Sequence, residues 1–579
     1  MPPARLPLFH PRLIKERLAS HVFPGDLGER HARLLDWVKT LRSGALDGAK
    51  EVELHGQFLE QVFSGVLGYR GMVQSGGAGF ELSAEKTVSA SGKSADGAIG
   101  FFGLPGGGAD QVFAPIELKG ARHSLDFAGN RALTPVQQAW EYAQYTPGSR
   151  YVIVSNYRET RLYSKALTPD EYELFPLEDL ESPEAFRRFF LLLARENLLP
   201  SAPGGRSPVD ELLLASSQVE AEITSALYAE YRALRTHLFD HLGHVHSNLP
   251  RRELIGHTQK ILDRILFVAF AEKRGLLPPD TLAQAITYRD RYHPRPVWQN
   301  LLAVFRWIDE GNAADPKIAA YNGGLFRPDP EIDGLEISDQ VCGEFLHFAR
   351  HDFREEISVE VIGHIFEQSI SDLEEMRAET EGAPDPTVSK RKAEGVYYTP
   401  SFITRFIVEE TLGRTLRERW QAILARVAPE GVKGDKKQTQ RWIEAWEAYR
   451  EDLKRLHVLD LACGSGAFLI AAFDRLGREY ERVNASLASL RGGQATLFDL
   501  TRTVLNGNLF GVDINSESVE ITKLSLWLKT AQTGQRLTGS GWRRRGRSSR
   551  TRRRSTRTAS SERRSGAGRK RPGSSRQGS

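Results

Sequence analysis

The sequence predicts an α/β multidomain chain, and three observations carry that prediction. Val458-Leu459-Asp460-Leu461 is a short apolar run that passes through Gly464 and Gly466 into an apolar stretch from Ala467 to Leu476, the order strand, tight turn, helix. Asn508 to Asn515 is a second apolar run that carries an acid at its end, as the next strand of such a sheet does. Between residues 51 and 170 a helix, three strand-like runs, a second helix and two further strands follow one another, which describes a separate α/β unit. Four parts result: an α/β unit over 1–170, a helical connector over 171–392, a partial doubly wound unit over 393–536, and a basic tail over 537–579.

Bulk properties narrow the class. The 579 residues have room for three or four domains, and a chain 40% hydrophobic and 26% charged has ordinary globular composition. The two cysteines, Cys342 and Cys463, offer neither a disulfide framework nor a zinc spacing, so a reducing cytoplasm is expected. No apolar run approaches the ~20 residues of a membrane span, and Met1-Pro2-Pro3-Ala4-Arg5 leads into no signal-peptide core. A membrane role is therefore not expected.

Residues 1–50 read as polar helix. From Glu51 to Tyr69 the spacing of Leu54, Phe58, Leu59, Val62, Phe63, Val66 and Leu67 predicts a helix closing on Leu67-Gly68-Tyr69. Strands follow at Phe80–Thr87, Gly97–Phe102 and Gln111–Leu118. Pro135 opens a helix through Tyr145, and Tyr151–Ser155 is a buried strand. Twenty residues separate Asp96 from Glu117-Leu118-Lys119. Alternation along the strand puts Glu117 and Lys119 on one face, and a neighbouring strand can bring Asp96 beside them. Asp110 is the alternative acid, closer to the Gly106-Gly107-Gly108 loop. Two carboxylates with water suit a hard divalent cation such as Mg²⁺, with Asp96 and Glu117 as its ligands. The metal would stabilise charge on a phosphate, and Lys119 would orient or help deprotonate the attacking water. That chemistry is phosphodiester hydrolysis. The pattern resembles the PD-(D/E)xK nuclease family, with Glu53 as a further metal partner. Gln138-Ala139-Trp140-Glu141-Tyr142 resembles the Gln-x-x-x-Tyr helix motif of restriction nucleases. One helical turn separates Gln138 from Tyr142, so they share a face.

The middle of the chain is helical. Ser201-Ala202-Pro203-Gly204-Gly205 reads as a linker. Ile261, Leu262, Ile265, Leu266 and Ala269 mark a helix that ends at Lys273-Arg274-Gly275, with Pro278-Pro279 after it. This stretch resembles the helical connector of type IIG restriction–modification enzymes, as do Tyr321–Phe326 and Gly363–Gln368. Core packing and a glycine turn are expected of them, not catalysis. Met376 to Lys392 is polar and interrupted by proline, which reads as a loop.

The stretch from Asp460 carries the chemistry of the last domain. Gly464 and Gly466 let the backbone turn and approach a ligand, and the helix N-terminus leaves free N–H groups facing it. Asp460, at a strand's carboxyl end, argues against a phosphate and for a cationic ligand. S-adenosylmethionine carries both an ammonium and a sulfonium. Asp513, ending the second strand, is placed to reach a ribose hydroxyl pair. Residues 460–468, Asp-Leu-Ala-Cys-Gly-Ser-Gly-Ala-Phe, look like the cofactor motif of adenine-specific DNA methyltransferases, with Phe468 closing it. Gly395–Pro400 resembles their Tyr-Thr-Pro motif, and Asn508–Trp527 their second-strand block. By that resemblance Tyr398 and Thr399 lie over the methionine end of the cofactor, and the binding set is Tyr398, Thr399, Asp460, Gly464, Gly466, Phe468 and Asp513. Cys463 reads as a small buried hydrophobe. The order of parts resembles type IIG enzymes, which imply a nuclease fused to an N6-adenine methyltransferase, both acting on double-stranded DNA.

The resemblance then breaks. The family accepts hydrogen bonds from the adenine amine with an Asn-Pro-Pro-Tyr motif, and this sequence holds none. From Arg543 to Ser579 there are fifteen Arg or Lys and one acid, Glu562, a net of +14; since the whole chain carries +4, the rest sums to −10. That tail has no Val, Ile, Leu, Met, Phe, Trp, Tyr or Cys, so a disordered segment is expected. Two readings meet it: a basic arm on the phosphate backbone, or out-of-frame translation that truncates the domain. The second is adopted, because the switch falls mid-sheet. The expected function is a restriction–modification protein that binds cofactor but lacks methyl transfer. The alternatives are a Mg²⁺-dependent endonuclease alone, or a DNA-binding protein acting through its tail.

Overall fold

Six strands form the larger sheet: β1 (Phe80–Thr87), β2 (Ser94–Phe102), β3 (Gln111–Leu118), β4 (Tyr151–Ser155), β5 (Glu159–Ser164) and β6 (Tyr172–Pro176), side by side in that order. All neighbours are antiparallel except β3 and β4, which run parallel. A parallel pair needs a crossover, and the helix Pro135–Tyr145 supplies it. Its start is set by Pro135 and by a reciprocal cap between Thr134 and Gln137. Its apolar side, Val136, Ala139 and Ala143, packs on Val152, Val154 and Tyr163. Ile99, Ile116, Ile153 and Leu162 belong to a larger core with Phe58, Val62, Phe63, Phe186, Phe189 and Phe190.

This computed structural model describes residues 7–530 apart from 77–78, 88–93, 105, 107–108, 129, 319, 321–323, 352, 354–360, 366–367, 370–398, 400, 432–434, 493–502 and 515. Tyr398, the loop at Met376–Lys392 and the basic tail lie outside the described residues.

The first unit runs past residue 170. β6 completes its sheet, and the helix Pro183–Leu193, with Leu198 and Leu212, is buried in the same core. The pattern of Tyr172, Leu174 and Phe175 is short and merges into the helical stretch after it, so residues 171–176 read as part of the connector.

The connector is built on the long helices Pro208–Val245 and Arg251–Lys273 and on Val297–Glu310. Leu262, Leu266, Trp298, Phe305 and Phe326 centre its core. Ile521, Leu524 and Leu528 of the helix Ser516–Thr530 join that core, so connector and second sheet are packed as one.

The second sheet, among the described residues, is a parallel pair, β7 (Val458–Asp460) and β8 (Leu509–Gly511), on which the helix Ala467–Leu490 packs. The helix continues well past the Leu476 that the apolar run suggested. Gly511 sits so close to Leu469 and Cys463 that a Cβ would come within 2.7 Å of Leu469 Cδ1. On the other face Leu459, Leu461, Phe510, Val512 and Ile514 are exposed.

Further along, the helix buries Glu479 against Arg475 and Arg482, and Tyr449 donates to Glu479 Oε1 at 2.7 Å. Arg482 lies over the rings of Trp420, Trp446 and Tyr449, at 5.6, 4.9 and 5.7 Å. Among the described residues no helix is long and apolar enough to cross a membrane.

Candidate functional site

Two places bring chemistry-bearing residues together, one on each sheet. The first is the turn between β7 and the helix Ala467–Leu490. Its frame is backbone: Val512 N–H donates to Asp460 O at 2.8 Å, Cys463 N–H to Val512 O at 3.0 Å, and Gly466 N–H to Cys463 O at 2.7 Å. Gly464 and Gly466 have φ of +52° and +89°, a region in which a side chain is strained. The two glycines serve different ends. Among the described residues a Cβ on Gly464 would meet nothing within 4 Å, so its side of the turn is open toward them. A Cβ on Gly466 would lie 2.8 Å from Thr522 Cγ2, so this glycine lets the helix Ser516–Thr530 close on the turn. Thr522 Oγ1 then donates to Gly464 O at 2.8 Å.

Asp460 and Asp513 stand at the carboxyl ends of adjacent parallel strands. Asp513 Oδ2 accepts from Gly464 N–H at 2.8 Å, and Asp460 Oδ1 from Ala462 N–H at 3.1 Å. Both are half-buried, as is Phe468. The helix begins at Gly466 without a side-chain cap, so no side chain of that residue takes up its free N–H groups. Burial raises the Cys463 thiol above its usual value, which keeps it protonated, as expected of a small buried side chain.

Thr399 is half-buried and lines a cavity of about 10 Å³ with Gly363, Ser401, Thr404, Ser465, Ala467 and Ile470. That space holds no more than about one water. It is too small for a ligand of cofactor size. Gly363, read from sequence as plain connector, has Ser465 Oγ 3.7 Å from where its Cβ would stand. Local sequence carries no signal for that approach, because the two residues are a hundred positions apart.

The second place is the end of the β2–β3 hairpin. Glu117 and Lys119 are almost fully buried, and Lys119 Nζ contacts the Glu117 carboxylate and lies 3.5 Å from Asp96 Oδ2. Asp96 Oδ2 accepts from Leu118 N–H at 2.8 Å. Gln138 Nε2 donates to Tyr142 Oη at 2.8 Å. Burial raises the Tyr142 hydroxyl above its usual value; the Gln138 hydrogen bond opposes this, and the charges of Glu117 and Asp96 add to it. Asp110 is at the other end of the hairpin, accepting from Gly103 N–H at 3.0 Å.

Sequence reasoning missed His55. Its Nδ1 lies 3.9 Å from Asp96 Oδ1, whereas Glu53, on the same helix, is exposed. Residues two positions apart on a helix do not share a face, so a reading that settles on Glu53 passes over His55. Among the described residues no group of three or more His, Cys, Asp or Glu is arranged to hold a metal. Asp96 and Glu117 bring two carboxylates to one cation, the Lys119 ammonium.

Residues 434–545 match the family described as MmeI, DNA-methyltransferase domain. A protein of Methanocaldococcus jannaschii named as a type II restriction enzyme and methyltransferase is 27% identical over 303 residues, 46% of this chain and 24% of that protein. The adenine-specific methyltransferase BrxX of Escherichia coli is 25% identical over 188 residues, 31% of this chain and 14% of that one. The matches thus span a quarter or less of those relatives. Two solved structures are similar: the type IIL restriction–modification enzyme MmeI with DNA, at 19% identity and a TM-score of 0.34 over 51% of this chain and 36% of that one, and a DrdV–DNA complex, at 14% and 0.18 over 86% and 42%.

Proposed function

We propose that this chain, similar to type IIG-like restriction–modification enzymes, binds S-adenosylmethionine at the Gly464 turn and cuts double-stranded DNA with Mg²⁺ at the β2–β3 hairpin. One observation carries the first half: Asp460 and Asp513 flank an open glycine turn at the carboxyl ends of parallel strands, where doubly wound sheets take their ligands. The residues present fit the cofactor. Asp460 would hold its ammonium, Asp513 its ribose hydroxyls, and the helix N-terminus and Phe468 would line its remaining length. When bound, the cofactor supplies a methyl group on sulfonium, and the similar BrxX is named as adenine-specific.

Isothermal calorimetry tests this reading. Asp513→Ala is expected to weaken binding about tenfold or more, because a charged hydrogen-bond acceptor contributes roughly 1.5–3 kcal/mol and the same carboxylate braces Gly464. A wild-type chain that takes up no cofactor would overturn it.

The second half rests on the meeting of Asp96, Glu117 and Lys119 beside Gln138 and Tyr142. Asp96 and Glu117 would hold the Mg²⁺. Lys119 sits between them, where it can place a water against the phosphate. His55 can share the Asp96 carboxylate or take a metal position itself.

A further inference from the structure

The loop from Gly120 to Thr134 joins the two halves of the hairpin site: Lys119 precedes it, and Gln138 and Tyr142 follow. Its first half is held from within its own unit. Arg158 Nε donates to Ala121 O at 2.9 Å and Asn156 Nδ2 to His123 O at 2.8 Å. Its second half is held from far along the chain. Trp420 Nε1 donates to Ala132 O at 2.8 Å, two residues before the Thr134 cap.

Trp420 is a firm anchor. It is 2% exposed, and its ring stacks on Trp446 at 4.0 Å and 22°, with Arg482 over it. It lies on the helix Arg414–Val427. Arg482 and Glu479 tie that cluster to the helix that begins at the Gly464 turn. Two ion pairs cross the same junction: Arg405 with Glu171 at 2.9 Å, and Arg478 with Asp170. Arg405 follows Thr404, which lines the small cavity at Ser465.

We propose that Trp420 is a positioning residue for the hairpin site: its indole N–H fixes the Ala132 carbonyl, and with it the start of the helix carrying Gln138 and Tyr142. The proposal rests on the reading of that site as a nuclease. Lys119 is held at the end of β3 by Glu117 and Asp96. Releasing Ala132 therefore moves one half of the site against the other. Trp420 touches no substrate and acts only through the loop. A misplacement of about 1 Å can cost on the order of a hundredfold in rate.

Trp420→Phe removes the donor and keeps an aromatic ring against Trp446 and Arg482. In the full chain, Mg²⁺-dependent cleavage of duplex DNA is expected to fall about tenfold or more in turnover, with half-saturating DNA unchanged. Amide exchange at Gln137 and Gln138 should quicken, while the melting midpoint and cofactor affinity hold. Equal turnover and equal exchange in Trp420→Phe overturn the proposal. So does a fall in turnover that merely tracks a loss of melting midpoint and cofactor binding. Lys119→Ala separates the layers: cutting that persists in it overturns the nuclease reading beneath, whereas cutting lost there but intact in Trp420→Phe overturns only the role of Trp420.

Discussion

Lys119→Ala is expected to lower Mg²⁺-dependent cleavage of duplex DNA by roughly 10²–10⁴-fold, the range for a group that moves or orients the reacting proton. The side chain is buried at the end of β3 and touches both acids of the site. Without it, Asp96 and Glu117 lose the cation between them, and two like charges are left close together. Added Mg²⁺ would satisfy that charge but leave no group to place the water. The loss should therefore persist at saturating metal. Nicking of supercoiled plasmid across a Mg²⁺ titration measures it, with circular dichroism to show that the variant is folded. A rate restored by high Mg²⁺ would assign Lys119 to charge balance alone.

Glu479→Gln is expected to cost about 3 kcal/mol of stability, because it leaves Arg482 buried without its carboxylate and Arg475 with Glu409 alone. The substitution keeps shape and changes charge, so a cavity is not the cause. Burial alone would raise the Glu479 carboxyl. The guanidiniums of Arg482 and Arg475 outweigh it and hold the group far below the usual carboxylate range. A depressed native pKa sets the sign: the contribution is complete above the ordinary value of 4.5 and is lost as the pH falls through the native one. Urea midpoints of the two proteins should therefore differ most near neutral pH and converge in acid. A difference independent of pH would mean that packing, not charge, is responsible.

Much of the first unit was legible because its signals are local. Alternation and a proline mark β3 and the helix Pro135–Tyr145 at the residues where the structure has them. The meeting of Asp96 with Glu117 follows from a single hairpin, in which Gly97 pairs with Ile116. The glycine turn was equally readable, since strand, Gly464, Gly466 and helix are consecutive. What stayed hidden depends on distant packing. Thr522 explains Gly466 from fifty-six residues away. His55 reaches Asp96 only because a helix crosses the sheet. The contact of Trp420 with Ala132 spans 288 positions, and no periodicity in either segment marks it. β6 was lost for another reason: five residues are too few for alternation to stand out from the helix that follows.

The stacked indoles of Trp420 and Trp446 carry an optical consequence. Nine tryptophans are present, but this pair is held almost parallel at 4.0 Å in a rigid, asymmetric setting. Near-ultraviolet circular dichroism depends on such fixed aromatic surroundings and vanishes when packing loosens while helices persist. The pair is thus a built-in gauge of whether the helices Arg414–Val427 and Asp435–Lys454 are packed, readable in solution without a label.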